Sequence, residues 1–175
     1  MRLAQSCKGI KRFFSHLFST PWHVGRYFPP ATLKAIENAI QASEDKHLGE
    51  IRFVIEADLH PLEILACKTP KERALELFSQ LGIWDTEHNN GVLIYLCLAD
   101  RDVEIVADRG IHQRVGYEGW EGVCHTMEKY FRAGEFETGA LQGIALVREV
   151  LAQHFPVGEG AQTPRNELPN APLII

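Results

Sequence analysis

A chain of 175 residues, 45% apolar and 23% charged, is long enough for one domain with a sizeable core and has an ordinary globular composition. Its net charge of −5 is unevenly spread: residues 1–30 hold Arg2, Lys8, Lys11, Arg12 and Arg26 and no acid, so the remainder carries 13 basic and all 23 acidic residues. An acidic body is a poor partner for nucleic-acid phosphates, which excludes that class.

No run approaches 18 consecutive apolar residues, so no membrane-spanning helix is expected. Lys8, Lys11, Arg12 and His16 interrupt the head where a signal peptide needs a long apolar stretch. The cysteines at 7, 67, 97 and 124 form no CxxC pair and no zinc spacing, and scattered thiols suit a reducing compartment. These features predict a cytoplasmic protein. It falls into a basic N-terminal segment (1–30), a domain (31–156) and an extended C-terminal tail (157–175).

Within the head, Leu3, Cys7, Ile10, Phe14, Leu17 and Phe18 give residues 2–18 the pattern of a short basic amphipathic helix. It either packs on its own domain or docks on an anionic membrane surface or a partner. Pro29-Pro30 opens a helix carrying Leu33, Ile36, Ala39, Ile40 and Ser43, which ends at Leu48-Gly49. In residues 50–58, Ile51, Phe53, Ile55 and Ala57 alternate with Arg52, Val54, Glu56 and Asp58, the pattern of a half-buried strand.

Thr69-Pro70 is a helix start, with Thr69 as cap and Pro70 in the first turn, and Gly82 stops that helix. Residues 92–99, VLIYLCLA, are apolar on both faces and predict a central strand. Asp100-Arg101 is a tight turn into a third strand, 103–108, which must be antiparallel to the second. The helix between the first two strands makes that pair parallel. Helices are expected at 111–115, 118–132 and 135–154, with Gly134 separating the last two and Trp120, Phe131 and Phe136 as core residues. Residues 156–175 contain four prolines yet end in Leu173-Ile174-Ile175, so the tail either folds back on an open sheet edge or binds a partner strand. The fold class is α/β: a three-layer α/β/α sandwich with a small mixed sheet, a parallel pair plus an antiparallel hairpin strand.

The stretch WDTEHNNGVLIYLCLADRDVEIVADRGI (84–111), followed by Trp120, Phe131-Arg132-Ala133-Gly134 and Phe136, resembles the TPM domain, named for thylakoid-lumen, photosystem-repair and receptor-modulator proteins. Asn90-Gly91 enters the apolar strand and Asp108-Arg109-Gly110 leaves the hairpin as in that family, and Gly49-Glu50 is similar to a bacterial subgroup. The resemblance covers about residues 31–156. It implies a phosphatase label and, for some members, divalent-cation binding. The chain departs from many relatives in having Ala-Asp-Arg-Gly where they have a Gly-x-Gly turn.

The strand directions place Glu50, Asp85, Asn89, Asn90, Asp108 and Arg109 at one rim, called lower here. Carboxylates and amides in that number suit Ca²⁺ or Mg²⁺, and Glu50, Asp85, Asn90 and Asp108 are the candidate metal ligands. Arg109 can fork on a phosphate, or neutralise the acids around it. Asp108 and Arg109 are the catalytic candidates if the chain hydrolyses phosphomonoesters. The structural alternative is that Asn-Gly is turn chemistry, Asp85-Thr86 a cap and Asp108-Arg109 an ion pair. The upper rim gathers Glu56, Asp58, His60 and the turn Asp100-Arg101-Asp102, read as solvated; ligands of open α/β sheets prefer that end, but the resemblance points to the lower one.

No GxxxxGK[ST], GxGxxG, HExxH or GxSxG occurs, so no nucleotide, flavin, haem or zinc is expected. The expected function is an accessory or interaction domain for a protein or membrane-associated assembly. The alternative is metal-assisted phosphomonoester hydrolysis.

Overall fold

The computed structural model describes Arg12, His16, residues 21–157 and residues 166–175. The helix expected over residues 2–18 lies outside the described residues, Arg12 and His16 apart. Among the described residues ten elements follow in order: α1 (Pro21–Tyr27), α2 (Pro30–Glu44), β1 (Glu50–Glu56), α3 (Pro61–Leu65), α4 (Pro70–Gln80), β2 (Gly91–Cys97), β3 (Asp102–Ala107), α5 (Arg109–Ala133), α6 (Phe136–His154) and β4 (Leu173–Ile174).

The sheet order is β3-β2-β1-β4, with β1 parallel to both β2 and β4 and β2 antiparallel to β3. Alternation sorts the side chains onto two faces. Ile51, Phe53 and Ile55 join Val92, Ile94 and Leu96 in a larger core beneath α2, α5 and α6. Val54, Leu93, Tyr95 and Cys97 join Ile64, Ala74, Leu77 and Leu168 in a smaller core on the other face. The expected three layers are therefore present, with the all-buried β2 at their centre.

Three details bear on the sequence expectations. β1 is covered on both faces, not half-buried: only Arg52 in it is less than fully buried, because Glu56 is paired and the tail crosses Arg52. The helices expected at 111–115 and 118–132 are present as the two parts of α5, separated at Gly116, whose φ of 71° and ψ of 176° are not helical. The C-terminal residues pair with β1 at Val54↔Leu173 and Ile55↔Ile174, which adds a fourth strand. The parallel ladder continues through Ile175 N–H to Ile55 O and Ala57 N–H to Ile175 O, both 3.0 Å.

α1 lies ahead of the expected domain start, yet Val24 and Phe28 are each only 1% exposed. Phe28, Phe131 and Phe136 form an aromatic cluster with centroids 5.6–6.4 Å apart, which gives Phe131 and Phe136 their expected core role. Trp120 is buried with them in the larger core. Cys67 is disulfide-bonded, while Cys97 and Cys124 are buried and free, so the four cysteines are not four free thiols. Among the described residues no helix is long and apolar enough to cross a membrane.

Gly91 is fixed by close approach, since a Cβ there would lie 2.0 Å from the Ile83 carbonyl oxygen. Backbone cannot yield as a flexible side chain can. Gly91→Ala is therefore expected to cost about 3 kcal/mol in urea denaturation, the upper range for overpacking. Gly122→Ala, on the exposed side of α5 with open space around its Cβ, should instead stabilise by up to about 1 kcal/mol through helix propensity.

Candidate functional site

The lower rim is assembled by backbone bonds between three segments. Glu50 N–H donates to Asn90 O at 3.0 Å, and Asp108 N–H donates to Gly91 O at 2.9 Å. Sequence-predicted residues from β1, the β2 entrance and the β3 exit thus share one edge. Their side chains have different fates. Thr86 Oγ1 accepts the Asn90 N–H at 3.0 Å, and Asn89 sits in the left-handed region at φ 50°, which is the turn chemistry expected of this loop. Asn90 donates its side-chain N–H to Leu48 O, leaving Asn90 Oδ1 buried with no donor.

Asp108 caps α5: its Oδ1 accepts the Arg109 N–H at 2.5 Å, while Oδ2 is buried without a partner. Asp85 and Arg109 are exposed. Glu50 is 4% exposed, and burial raises its pKa, partly offset by backbone N–H groups of Leu168 and Glu167. Glu50, Asp85 and Asp108 do not form a group whose ligand atoms all lie within 4.8 Å of one another.

Beside Glu50, a small cavity of about 150 Å³ is lined by Glu44, Asp45, His47, Glu50, Asn166 and Asn170. Burial pushes the Glu44 carboxyl up to about 7, against a hydrogen bond from Asn170 Nδ2 to Oε2 of 2.9 Å. Burial also pushes His47 down to about 4; its Nδ1 accepts the Gly49 N–H at 3.2 Å and its Nε2 has no partner. Sequence reading missed Glu44 and His47 because neither belongs to a motif: Glu44 ends α2, and His47 lies in the connection to β1, bridged to Pro156.

The upper rim is not the solvated turn expected. Glu56, 6% exposed, receives Arg73 through Nε at 3.0 Å and Nη2 at 2.8 Å on Oε1, and Tyr95 Oη donates to its Oε2 at 2.6 Å. The Glu56 hydrogen bonds raise the Arg73 pKa, while burial comes first in raising that of Tyr95. Asp100 accepts from Arg12 Nη2 at 2.9 Å and faces His16 Nε2 at 3.1 Å. Burial alone would raise the Asp100 carboxyl, but His16 and Arg12 outweigh it and hold it below the usual range.

His16, Cys97 and Asp100 are, among the described residues, the group of three whose ligand atoms lie within 4.8 Å of one another. Three facts make this a structural network and not a metal centre. His16 Nδ1 already accepts the Leu59 N–H at 3.0 Å, so a neutral ring keeps its proton on Nε2. Arg12 forks on the only carboxylate. Burial raises the Cys97 thiol well above its ordinary value.

A family model described as the TPM domain matches residues 25–150. The chain belongs to the TPM domain family. It is similar to the BA42 protein of the psychrophilic bacterium Bizionia argentinensis, with 30% identity and a TM-score of 0.70 over 82% of this chain and 92% of that one. A second solved structure, the N-terminal domain of a protein from P. gingivalis, shares the fold at 21% identity and a TM-score of 0.57, covering 72% of this chain and 79% of its own. No curated protein matches the chain. In this TPM domain both rims are rich in acids, and at the lower one Asn90 Oδ1 and Asp108 Oδ2 are buried acceptors without donors.

Two predictions follow from these environments. Glu44 is shifted up from 4.5 and His47 down from 6.5. Between about pH 4.5 and 7 the folded state holds more proton at Glu44 than the unfolded chain, so that group's stabilising contribution falls as pH rises. For His47 the unfolded chain holds more proton between about pH 4 and 6.5, so stability falls as pH drops. Glu44→Gln should remove the alkaline loss and His47→Gln the acid loss when denaturant midpoints are measured from pH 4 to 8; unchanged profiles would refute the assigned environments. At the other rim, Arg73→Met should destabilise by about 3–5 kcal/mol by leaving Glu56 buried and unpaired. Arg73→Met combined with Glu56→Leu should recover much of that loss in the same denaturation assay.

Proposed function

We propose that this TPM domain is a divalent-cation-binding accessory module, acting through a protein or membrane-associated partner and not by catalysis of its own. One observation carries the cation reading: Asn90 Oδ1 and Asp108 Oδ2 are buried acceptors without donors, at a rim that also buries the Glu50 carboxyl. An unpaired buried acceptor costs about 1–3 kcal/mol. A hard cation takes oxygen ligands of this kind and relieves that cost.

Asn90 and Asp108 would hold the ion, with water filling further positions. At most two of the carboxylates of Glu50, Asp85 and Asp108 can ligate one ion directly in this arrangement. Glu50 and Asp85 then add negative charge around it. The ion would neutralise the acids of the rim, supplying a fixed positive charge for an anionic group of a partner.

The hydrolase alternative has one favourable feature, the exposed Arg109 beside Asp108 at the start of α5. Against it, Asp108 Oδ1 is occupied as a helix cap. The association surface we propose is the basic segment 2–18, on an anionic membrane face or a partner at the cytoplasmic side. Arg12 is committed to Asp100, so the remaining cations of the head would supply that contact.

Calorimetric titration with Ca²⁺ and Mg²⁺ tests the cation reading. One site is expected, weakened at least about tenfold in Asp108→Asn, which keeps the cap but loses a charge. Bound ion should also raise the unfolding temperature, because it binds the folded state alone. Neither heat nor thermal stabilisation would sink the reading. Turnover of an aryl phosphate that disappears in Arg109→Ala would move the assignment to the hydrolase.

A further inference from the structure

The C-terminal segment 166–175 crosses the lower rim, and its contacts fall on the groups that carry the cation reading. Arg52 Nη1 donates to Pro169 O at 2.7 Å and to Ala171 O at 2.6 Å. Leu168 is 8% exposed in the smaller core, and its N–H reaches Glu50 Oε2 at 3.5 Å. Asn170 holds Glu44. The Glu167 carboxylate accepts the Glu87 N–H at 3.2 Å, which ties down the loop that carries Asp85. Beyond Ala171, the segment adds only the two residues of β4 and the flanking bonds of Ile175.

We infer that this segment is a releasable strap that restrains cation binding at the lower rim. The inference rests on the cation reading of that rim. Glu50 starts β1 with its N–H bonded to Asn90 O, so its backbone is already at the site. Its carboxylate, however, is engaged by Leu168 of the strap, and Asp85 is on the loop that Glu167 fastens. The same ten-residue segment thus engages the Glu50 carboxylate directly and fastens the loop of Asp85 through Glu87, and in this arrangement Glu50, Asp85 and Asp108 do not converge. When the strap lifts, the Glu50 carboxylate loses its Leu168 partner and the loop carrying the already exposed Asp85 loses Glu167, so both can approach an ion at Asn90 and Asp108.

The anchors suit a reversible attachment. They consist of one buried leucine, Arg52 on two carbonyls, the single contacts of Asn170 with Glu44 and of Glu167 with Glu87, and a short ladder at the sheet edge. Short edge pairings open more easily than the core strands they border. Binding to a state populated only in part lowers apparent affinity by that fraction, so loosening the strap tightens the site. By linkage, the ion must loosen the strap in return.

The test uses the full chain and its Arg52→Ala variant, in which no candidate cation ligand is altered. Two measurements are made on each: amide exchange at Ala57, Ile175 and the core residue Ile94, and Ca²⁺ titration calorimetry. Hydrogen bonds to a charged donor are worth about 1.5–3 kcal/mol, so Arg52→Ala should lower protection at Ala57 and Ile175 at least about tenfold and tighten Ca²⁺ up to about tenfold. Ile94 should stay protected. Saturating Ca²⁺ should speed exchange at Ala57 and Ile175 in the unaltered chain.

If Ala57 and Ile175 exchange only with Ile94, the tail is an integral strand and the strap is refuted. If the tail opens in Arg52→Ala while Ca²⁺ affinity is unchanged, the rim binds its ion without regard to the tail, and only the strap falls. Absence of Ca²⁺ binding in both chains removes the cation reading and the strap's role together. Binding in Arg52→Ala alone supports both.

Discussion

Seven residue pairs, from Glu50↔Gly91 to Glu56↔Cys97, lock β1 and β2 in parallel register, and the distribution of polar groups in this domain depends on them. Parallel strands start together and stop together. The β3 hairpin then returns the chain from the far end to the near one, bringing Asp108 beside Gly91. A sheet covered on both faces gathers most of its polar side chains at its two ends and along its edges. The register therefore decides which acids become neighbours: Glu50, Asn90 and Asp108 at one rim, Glu56 and Asp100 at the other. A slip by one residue would drive Glu50 or Glu56 into the larger core, where no cation is placed to meet them.

The two rims solve the cost of burying charge differently. At the upper rim the buried Glu56 and the half-buried Asp100 each meet a guanidinium, Arg73 and Arg12, with Tyr95 and His16 closing the remaining sides. Such pairs contribute little net stability against an apolar replacement, but they leave few groups seeking a ligand. At the lower rim Arg109 is exposed and Arg52 is engaged by carbonyls, so no guanidinium meets Glu44, Glu50 or Asp108 in the described structure. Burial shifts Glu44 and Glu50 toward their neutral forms, and Asn90 and Asp108 keep orphaned oxygens. The presence or absence of a paired guanidinium is what separates a structural edge from a candidate binding one, although both are acidic.

The sequence made the sheet legible wherever periodicity was strong. VLIYLCLA announced a central strand, Thr69-Pro70 announced α4, and the alternation in β1 identified the face carrying Ile51, Phe53 and Ile55. It misjudged the other face of β1 because the residues that cover Glu56 and Arg52 come from about 17 and 118 positions away. It read Asp100-Arg101-Asp102 as solvated for the same reason: Arg12 lies 88 residues upstream, and composition carries no trace of the pairing. Glu50, Asn90 and Asp108 were brought to one rim by strand direction alone, a topological inference that needs no side-chain detail. Which of their oxygens lack donors depends on local bonds, such as Asn90 to Leu48, that only coordinates supply.

The tail shows how that boundary between topology and detail bears on function. Its apolar ending was visible, and both an edge strand and a partner strand were consistent with it. Three-dimensional placement adds that the segment pairs with the same β1 whose first residue belongs to the candidate site. Leu173 and Ile174 grip the C-terminal half of β1, while residues 167–170 reach back across its start to Glu50, Glu44 and Glu87. Any force that peels the edge strand is consequently transmitted to the rim within the same ten residues. Conversely, a cation that draws Glu50 away from Leu168 weakens an anchor of that strand. Such reciprocity needs no long pathway through the core, because the edge strand and the strap are continuous backbone.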